Sequence, residues 1–332
     1  MNNLQVDIKE NDILAISPEL LQALLKDNTL SSDKQQINIF WATDNYEHLG
    51  DGYRYHDQIT VPRITGANGM VIVPRSVKSL RQQKKRSRDM AEIFTPSWVC
   101  NAQNNLADNA WFGREDVFNK EDFENKTWTA NPAPVTFPKG KTWRDYVRDT
   151  RLEITCGEAP YIVSRYDSVT GMPIPIEQRI GVLDRKLRVV GENTETIDDW
   201  LKWAQTAFMN VLGYEWQGDN LLLARENLLM TFIDYYQAKF GEDKMPQMES
   251  LNYIARIISW NFWQMDGLKG VIPDTCHDEI IKIKDVFGET QTIINPCEGC
   301  KKKKFRPHNG VLCEIMDWEK GKTIKFISLL RD

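Results

Sequence analysis

The chain has 332 residues, 41% of them hydrophobic, which is enough for one large or two smaller domains around a substantial core. A net charge of −5 excludes a globally basic nucleic-acid binder, so any nucleic-acid contact must come from local patches. The start MNNLQVDIKENDIL has no basic run, and no stretch of about 18 apolar residues occurs, so the sequence predicts a cytoplasmic chain without signal peptide or membrane span.

Residues 1–89 read as an N-terminal extension. Ser17 followed by Pro18-Glu19-Leu20-Leu21 predicts a capped helix running to Leu25. Residues 37–40, 58–61 and 70–73 are short β-type runs in a Gly-, Tyr- and Asp-rich stretch, which predicts an irregular β-containing module. Between positions 75 and 88, Arg75, Lys78, Arg81, Lys84, Lys85, Arg86 and Arg88 occur with no acid. Such a run is either a solvated helix face or a phosphate-contacting patch, and Arg81, Lys84, Lys85, Arg86 and Arg88 are its nucleic-acid candidates.

Next comes Ala91-Glu92-Ile93-Phe94-Thr95-Pro96, where Thr95 as cap and Pro96 in the first helical position predict a helix start. Residues 111–145 are a loop-rich connector whose tryptophans, Trp111, Trp128 and Trp143, pin it to the core. The chain is organised around residues 151–166, RLEITCGEAPYIVSRY. Leu152, Ile154 and Thr155 read as the end of a strand, Cys156-Gly157-Glu158-Ala159-Pro160 as a turn, and Tyr161-Ile162-Val163 as a new apolar run. Gly157 lets a ligand approach the main chain, and Glu153 at the strand end suits an ammonium or hydroxyl group. Residues 167–195, broken by Gly171 and Pro173, read as an insertion at the site mouth, with Asp184 and Arg185 on a salt-bridged surface or touching substrate. Ile197, Trp200, Leu201, Ala204, Phe208 and Val211 share one helix face that leads into a strand ending at Glu215. Gly218-Asp219-Asn220 cap the helix that follows, and residues 254–263 read as a third strand ending in Gln264-Met265-Asp266-Gly267.

Four stretches, EIFTP, LEITCGEAPY, GYEWQ and NFWQMDGL, stand in this order over roughly residues 90–268. In content and order they resemble motifs X, I, II and III of adenine-N6 DNA methyltransferases, the modification subunits of type I and type IIG-like restriction–modification systems. The resemblance implies an α/β, Rossmann-like, S-adenosylmethionine (SAM)-dependent methyltransferase domain over residues 90–270. It implies a cofactor site of Phe94, Thr95, Pro96, Glu153, Cys156, Gly157, Ala159, Glu215 and Asp266, with Glu215 on the ribose hydroxyls. Asp266 would accept from the adenine amino group, and Trp263 or Met265 would line the adenine. DNA would be the partner, together with a second subunit of such a system.

The family's Asn/Asp-Pro-Pro-Tyr/Phe loop, which holds a flipped adenine, is missing. The nearest string is Asn295-Pro296-Cys297, without the second proline or the aromatic. Asn295 and Pro296 are thus a degenerate catalytic substitute, or catalysis is absent, or a partner chain supplies the loop. The readings that remain are a methyltransferase, a half-enzyme, and a non-catalytic SAM- and nucleic-acid-binding regulatory protein. The same region belongs to a C-terminal appendage, residues 271–332, that carries four of the six cysteines: Cys276, Cys297, Cys300 and Cys313. They read as zinc ligands or as free thiols, with His277 and His308 nearby and Lys301–Lys304 placed to touch phosphate.

Overall fold

The computed structural model describes residues 10–284 and 290–330; positions 1–9 of the predicted extension, with the start on which the signal-peptide reading rests, and 285–289 and 331–332 of the appendage lie outside the described residues. The chain is mixed α/β. It begins with α1 (Glu10–Ile16), α2 (Pro18–Leu25), α3 (Val61–Ile64), α4 (Leu80–Met90) and α5 (Ser97–Phe112). A hairpin of β1 (Asn119–Asp122) and β2 (Thr127–Ala130) and the short α6 (Trp143–Arg148) lead to β3 (Arg151–Glu153). Two helices, α7 (Val182–Asn193) and α8 (Ile197–Met209), connect to β4 (Val211–Glu215). Two more, α9 (Gly218–Phe240) and α10 (Met248–Asn261), connect to β5 (Phe262–Gln264). The C-terminal part holds β6 (Glu279–Lys284), β7 (Thr290–Asn295), α11 (Glu298–Lys302), β8 (Glu314–Asp317) and β9 (Lys322–Lys325).

Three strands form one parallel sheet in the order β3-β4-β5, with Glu153 opposite Gly213 and Glu215 opposite Gln264. Parallel strands need long crossovers, and the helix pairs α7–α8 and α9–α10 provide them. The main core runs through α2, α7, α8, α9 and α10. Helix α9 is buried on nearly every face from Gly218 to Tyr236, as befits a central helix rather than an amphipathic surface one. Its Arg225 donates to the carbonyls of Leu24 and Lys26 at the end of α2, and to those of Ser259 and Phe262 at the end of α10. A buried cation thereby satisfies two helix C-termini, where orphan carbonyls and the negative dipole end coincide.

Several sequence expectations change. The predicted third strand is mostly helix. Leu251, Ile254, Ala255 and Ile258 fall on the buried face of α10, and only Phe262–Gln264 is extended. The stretch 167–195 contains α7, so it belongs to the β3–β4 crossover, and Asp184 and Arg185 are fully buried rather than on a surface. Asp184 accepts from Ser164 and the Gly181 N–H, while Arg185 pairs with Asp108 at 2.6 Å. Helix α5 begins one residue late: Pro96 is its N-cap, and the Ser97 N–H donates 2.7 Å to Asp167 Oδ2. The β-type runs at 37–40 and 58–61 give isolated bridges, such as Phe40 with Gln58, and the run at 70–73 forms a turn and bends in place of a strand. Among the described residues no helix is long and apolar enough to cross a membrane.

Candidate cofactor cleft and metal cluster

A cleft of about 770 Å³ opens at the carboxyl ends of β3 and β4. Its walls come from three places: the segment before α5, the loop after β3, and the start of α9. The loop after β3 places Thr155, Gly157 and Ala159 at positive φ (47°, 54° and 61°), separated by residues that are not. Left-handed backbone at two non-glycine residues costs energy and persists where the surroundings enforce it, a pattern common at ligand sites. A Cβ on Gly157 would reach 3.7 Å from the Phe94 ring, so the glycine faces the EIFTP segment across the cleft. The Cys156 N–H donates 2.9 Å to the Tyr214 carbonyl and carries the parallel ladder into the loop.

Two carboxylates reach this cleft from adjacent strand ends. Glu215 accepts from the Gly157 N–H at 2.9 Å and from the Gln217 N–H at 3.2 Å. Glu153 accepts from the Tyr161 N–H at 3.4 Å through one oxygen, and its other oxygen, Oε2, has no hydrogen-bond partner among the described residues. Burial pushes the Glu153 carboxyl well above the usual carboxylate range, and the neighbouring Glu215 adds to the rise. Burial also raises Glu215, against the pull of the Gly157 and Gln217 N–H groups. A buried carboxylate oxygen without a donor is costly, and a ligand ammonium or hydroxyl would satisfy it.

The cleft wall at Glu92 is held by a buried network of ion pairs and hydrogen bonds. Arg86 is buried and pairs with Glu92 at 2.6 Å and with Asp219 at 2.7 Å, and it also donates to Gln217 and Asn220. Tyr46 donates to Asp219 at 2.8 Å, and Asn220 donates to Glu92 at 3.1 Å. Arg86 is therefore a structural cross-link between α4, the EIFTP segment and α9, which removes it from the predicted phosphate contacts. Arg81, Lys84, Lys85 and Arg88 are exposed on α4, and Arg88 borders the cleft with its guanidinium on Asp89.

Of the predicted cofactor residues, Phe94, Thr95, Glu153, Cys156, Gly157 and Glu215 line the cleft, whereas Pro96 and Ala159 do not. Asp266 does not reach it. The chain folds back directly after β5, so Asp266 accepts from the Leu268 N–H and pairs with Lys269 at 2.9 Å inside a five-residue turn closed by the Gly270 N–H on the Asp266 carbonyl. Trp263 and Met265 likewise contact each other and the second core cluster rather than a ligand. Tyr161, Trp216, Gln217 and Asn220 are cleft residues that the motif reading did not single out as site residues. The GYEWQ string contained two of them, and their side chains take part only because α9 starts immediately after β4.

No family model matches the chain, and neither a curated protein nor a solved structure matches it.

The catalytic candidates fall elsewhere. Asn295 ends β7, which among the described residues pairs with β6 and does not join the parallel sheet, and neither Asn295 nor Pro296 lines the cleft. The next residue, Cys297, belongs to a cluster of Cys276, Cys297, Cys300 and His308 whose ligand atoms lie within 4.8 Å of one another. That position holds the chain around Asn295 and Pro296 in the appendage. Cys313, assigned to this cluster from spacing, lies outside it: its thiol is fully buried and faces the Gln264 carbonyl in the second core cluster. His308 takes the fourth place.

Proposed function

We propose that this chain binds SAM in the cleft at the ends of β3 and β4, as the cofactor-holding part of an adenine-N6 DNA methyltransferase of the restriction–modification type. The observation that carries the reading is the pair Glu153 and Glu215. They are buried carboxylates on adjacent parallel strand ends, they face one cleft, and one oxygen of Glu153 lacks a donor. The residues fit the group. Glu215 accepts from a pair of ribose hydroxyls, as an acidic residue does at the same place in dinucleotide folds. Glu153 takes the methionyl ammonium. The Gly157 loop lets the ligand approach the main chain, and Phe94 closes that end. Tyr161 and Trp216 supply the aromatic surface for a purine. Bound SAM supplies an electrophilic methyl group on its sulfonium.

The chain by itself binds without transferring, because Asn295 and Pro296 are away from the cleft. The Asn/Asp-Pro-Pro-Tyr/Phe loop then comes from another polypeptide. Strand β3 supports that reading: it is an edge of the sheet, and Leu152 and Ile154 beside the cleft are exposed, which leaves a template for an added strand. The opposite edge is covered, since the Gln264 amide bonds both the N–H and the carbonyl of Phe40. Equilibrium dialysis with methyl-labelled SAM, followed by transfer of label to mixed-sequence DNA, tests the reading. Binding is expected with little or no transfer until a protein bearing the missing loop is added. Rapid transfer by the chain alone that Asn295→Ala abolishes would overturn the half-enzyme reading, and absence of binding would overturn the whole.

A further inference from the structure

Among the described residues the hairpin β6–β7 has no core of its own. Ile280, Ile281, Ile283, Ile293 and Ile294 are all exposed, and none of them belongs to either hydrophobic cluster. An isolated two-stranded hairpin is marginal in water, so something other than packing must fix its base. The two chain ends leaving the hairpin lead to Cys276 on one side and Cys297 on the other. There three thiols converge on a single nitrogen. His308 Nδ1 lies 3.5 Å from Cys276 Sγ, 3.4 Å from Cys297 Sγ and 3.6 Å from Cys300 Sγ.

One imidazole nitrogen has one proton or one lone pair and cannot serve three sulfur partners by hydrogen bonding. The other ring nitrogen identifies the neutral tautomer. His308 Nε2 is 2.8 Å from the Lys304 carbonyl, a pure acceptor, so Nε2 carries a proton, and in the neutral ring Nδ1 presents its lone pair to the three sulfurs. A second-shell carbonyl that fixes the tautomer in this way accompanies metal-bound histidines. The lengths agree as well. Zn–S bonds of about 2.3 Å and Zn–N bonds of about 2.0–2.1 Å at tetrahedral angles give S···N edges of about 3.6 Å. The packing around the cluster leaves no slack: a Cβ on Gly299 would come within 2.3 Å of the Pro307 carbonyl and 2.6 Å of the His308 ring, and one on Gly310 within 3.1 Å of Cys276 Sγ.

We infer that Cys276, Cys297, Cys300 and His308 hold one structural Zn²⁺ that clasps the base of the β6–β7 hairpin. Four protein ligands close the coordination sphere, so the ion has no open position for chemistry, and three thiolates with one imidazole select zinc over hard cations. Metal binding deprotonates the thiols and supplies folding energy that the exposed hairpin lacks. The inference does not depend on the proposed function.

The test uses the full chain purified without chelator. Elemental analysis should find about one zinc per chain, released by a mercurial reagent and absent from Cys297→Ser and His308→Ala, whereas Cys313→Ser keeps it. Cobalt exchanged into the wild-type protein should show the ligand-field and sulfur-to-metal charge-transfer bands of a tetrahedral thiolate site, a readout that needs no variant to fold. Stripping the metal should expose amides of residues 271–310 to hydrogen exchange while β3, β4 and β5 stay protected. A folded wild-type protein without metal, without a cobalt spectrum and with freely titrating thiols would overturn the inference. Metal retained in His308→Ala but lost in Cys313→Ser would overturn the ligand assignment.

Discussion

The body around the cleft and the C-terminal hairpin are built on opposite principles. The body holds its site through buried interactions of many kinds: apolar packing around α9, the Arg225 contacts to two helix ends, and the Arg86 network behind the cleft. The hairpin presents isoleucines to solvent and is tied down at its base by four side chains. The difference teaches that a functional loop cannot be placed by its sequence neighbourhood alone. Asn295-Pro296 has part of the right chemistry, yet it follows the hairpin into the cluster of Cys276, Cys297, Cys300 and His308 and leaves the cleft to other residues.

Substitutions should separate the two regions, and the largest effect is expected in the body. Arg225→Met leaves the carbonyls of Leu24, Lys26, Ser259 and Phe262 short of their donor and should cost about 3–5 kcal/mol in urea denaturation, comparable to breaking a buried ion pair. The metal content should not change. An equal loss of zinc and of global stability would show the two regions to be one unit.

Arg86→Ala should come close behind, at about 3 kcal/mol or more, because it strands Glu92 and Asp219 as buried carboxylates. Lys84→Ala, two residues earlier on the exposed face of α4, should stay within about 0.5 kcal/mol. Salt-dependent DNA binding should show the reverse order at matched folding: loss of Lys84 or Lys85 lowers the slope of affinity against salt, and Arg86 has no phosphate to lose.

Acidification should act on the cleft with two opposite signs. Glu153 and Glu215 have folded-state pKa values raised by burial, so their contribution to stability is full at low pH and is lost as pH rises through the folded value. The ligand-free protein should therefore gain stability from these two groups on mild acidification, and Glu153→Gln with Glu215→Gln should abolish that part of the gain. SAM affinity should fall over the same window, because a protonated Glu215 loses acceptor capacity for hydroxyls. Thermal melts and calorimetry at neutral and mildly acidic pH measure both. Parallel rather than opposed changes would remove the carboxylates from the cofactor site.

Among the substitutions expected to destabilise the fold, the smallest effect is expected at Gly157→Ala. Its φ of 54° costs an alanine roughly 1 kcal/mol or slightly more, and the added methyl meets Phe94 at an ordinary contact distance. A much larger loss of SAM binding than of stability would show that the ligand occupies the space the methyl takes.

How far the sequence foretold this follows from the range of the interactions. Local signals worked: Ser17 caps α2, Trp200, Ala204 and Phe208 share the buried face of α8, and both Glu153 and Glu215 stand at the ends of parallel strands. Three of the four ordered strings meet at one cleft through Phe94, Gly157 and Glu215, and the fourth does not reach it. Signals that depend on distant partners failed. The charge of Arg86 looked solvent-facing in a basic run, and its contacts with Glu92 and, far along the chain, with Asp219 make it structural. The strand-like run at 254–263 is β-branched and aromatic in composition, but the helical face of α10 packs on α2, α8 and α9. Cys313 and His308 could not be told apart by spacing. Cys313 enters the core beside Gln264, and His308 turns its ring to the three thiols because Lys304 holds its far nitrogen.

The central claim is that the paired carboxylates at the ends of β3 and β4 make the SAM site and that the end of β5 does not. Calorimetric titration of SAM into the wild-type protein, Glu215→Ala and Asp266→Ala, each shown to be folded, tests it most directly. The account predicts a loss of about 1–3 kcal/mol in Glu215→Ala, the scale of a lost hydrogen bond to a charged group, and unchanged binding in Asp266→Ala, whose carboxylate is engaged with Lys269 and the following turn. Unchanged affinity in Glu215→Ala, or a loss in Asp266→Ala as large as that expected for Glu215, would contradict it.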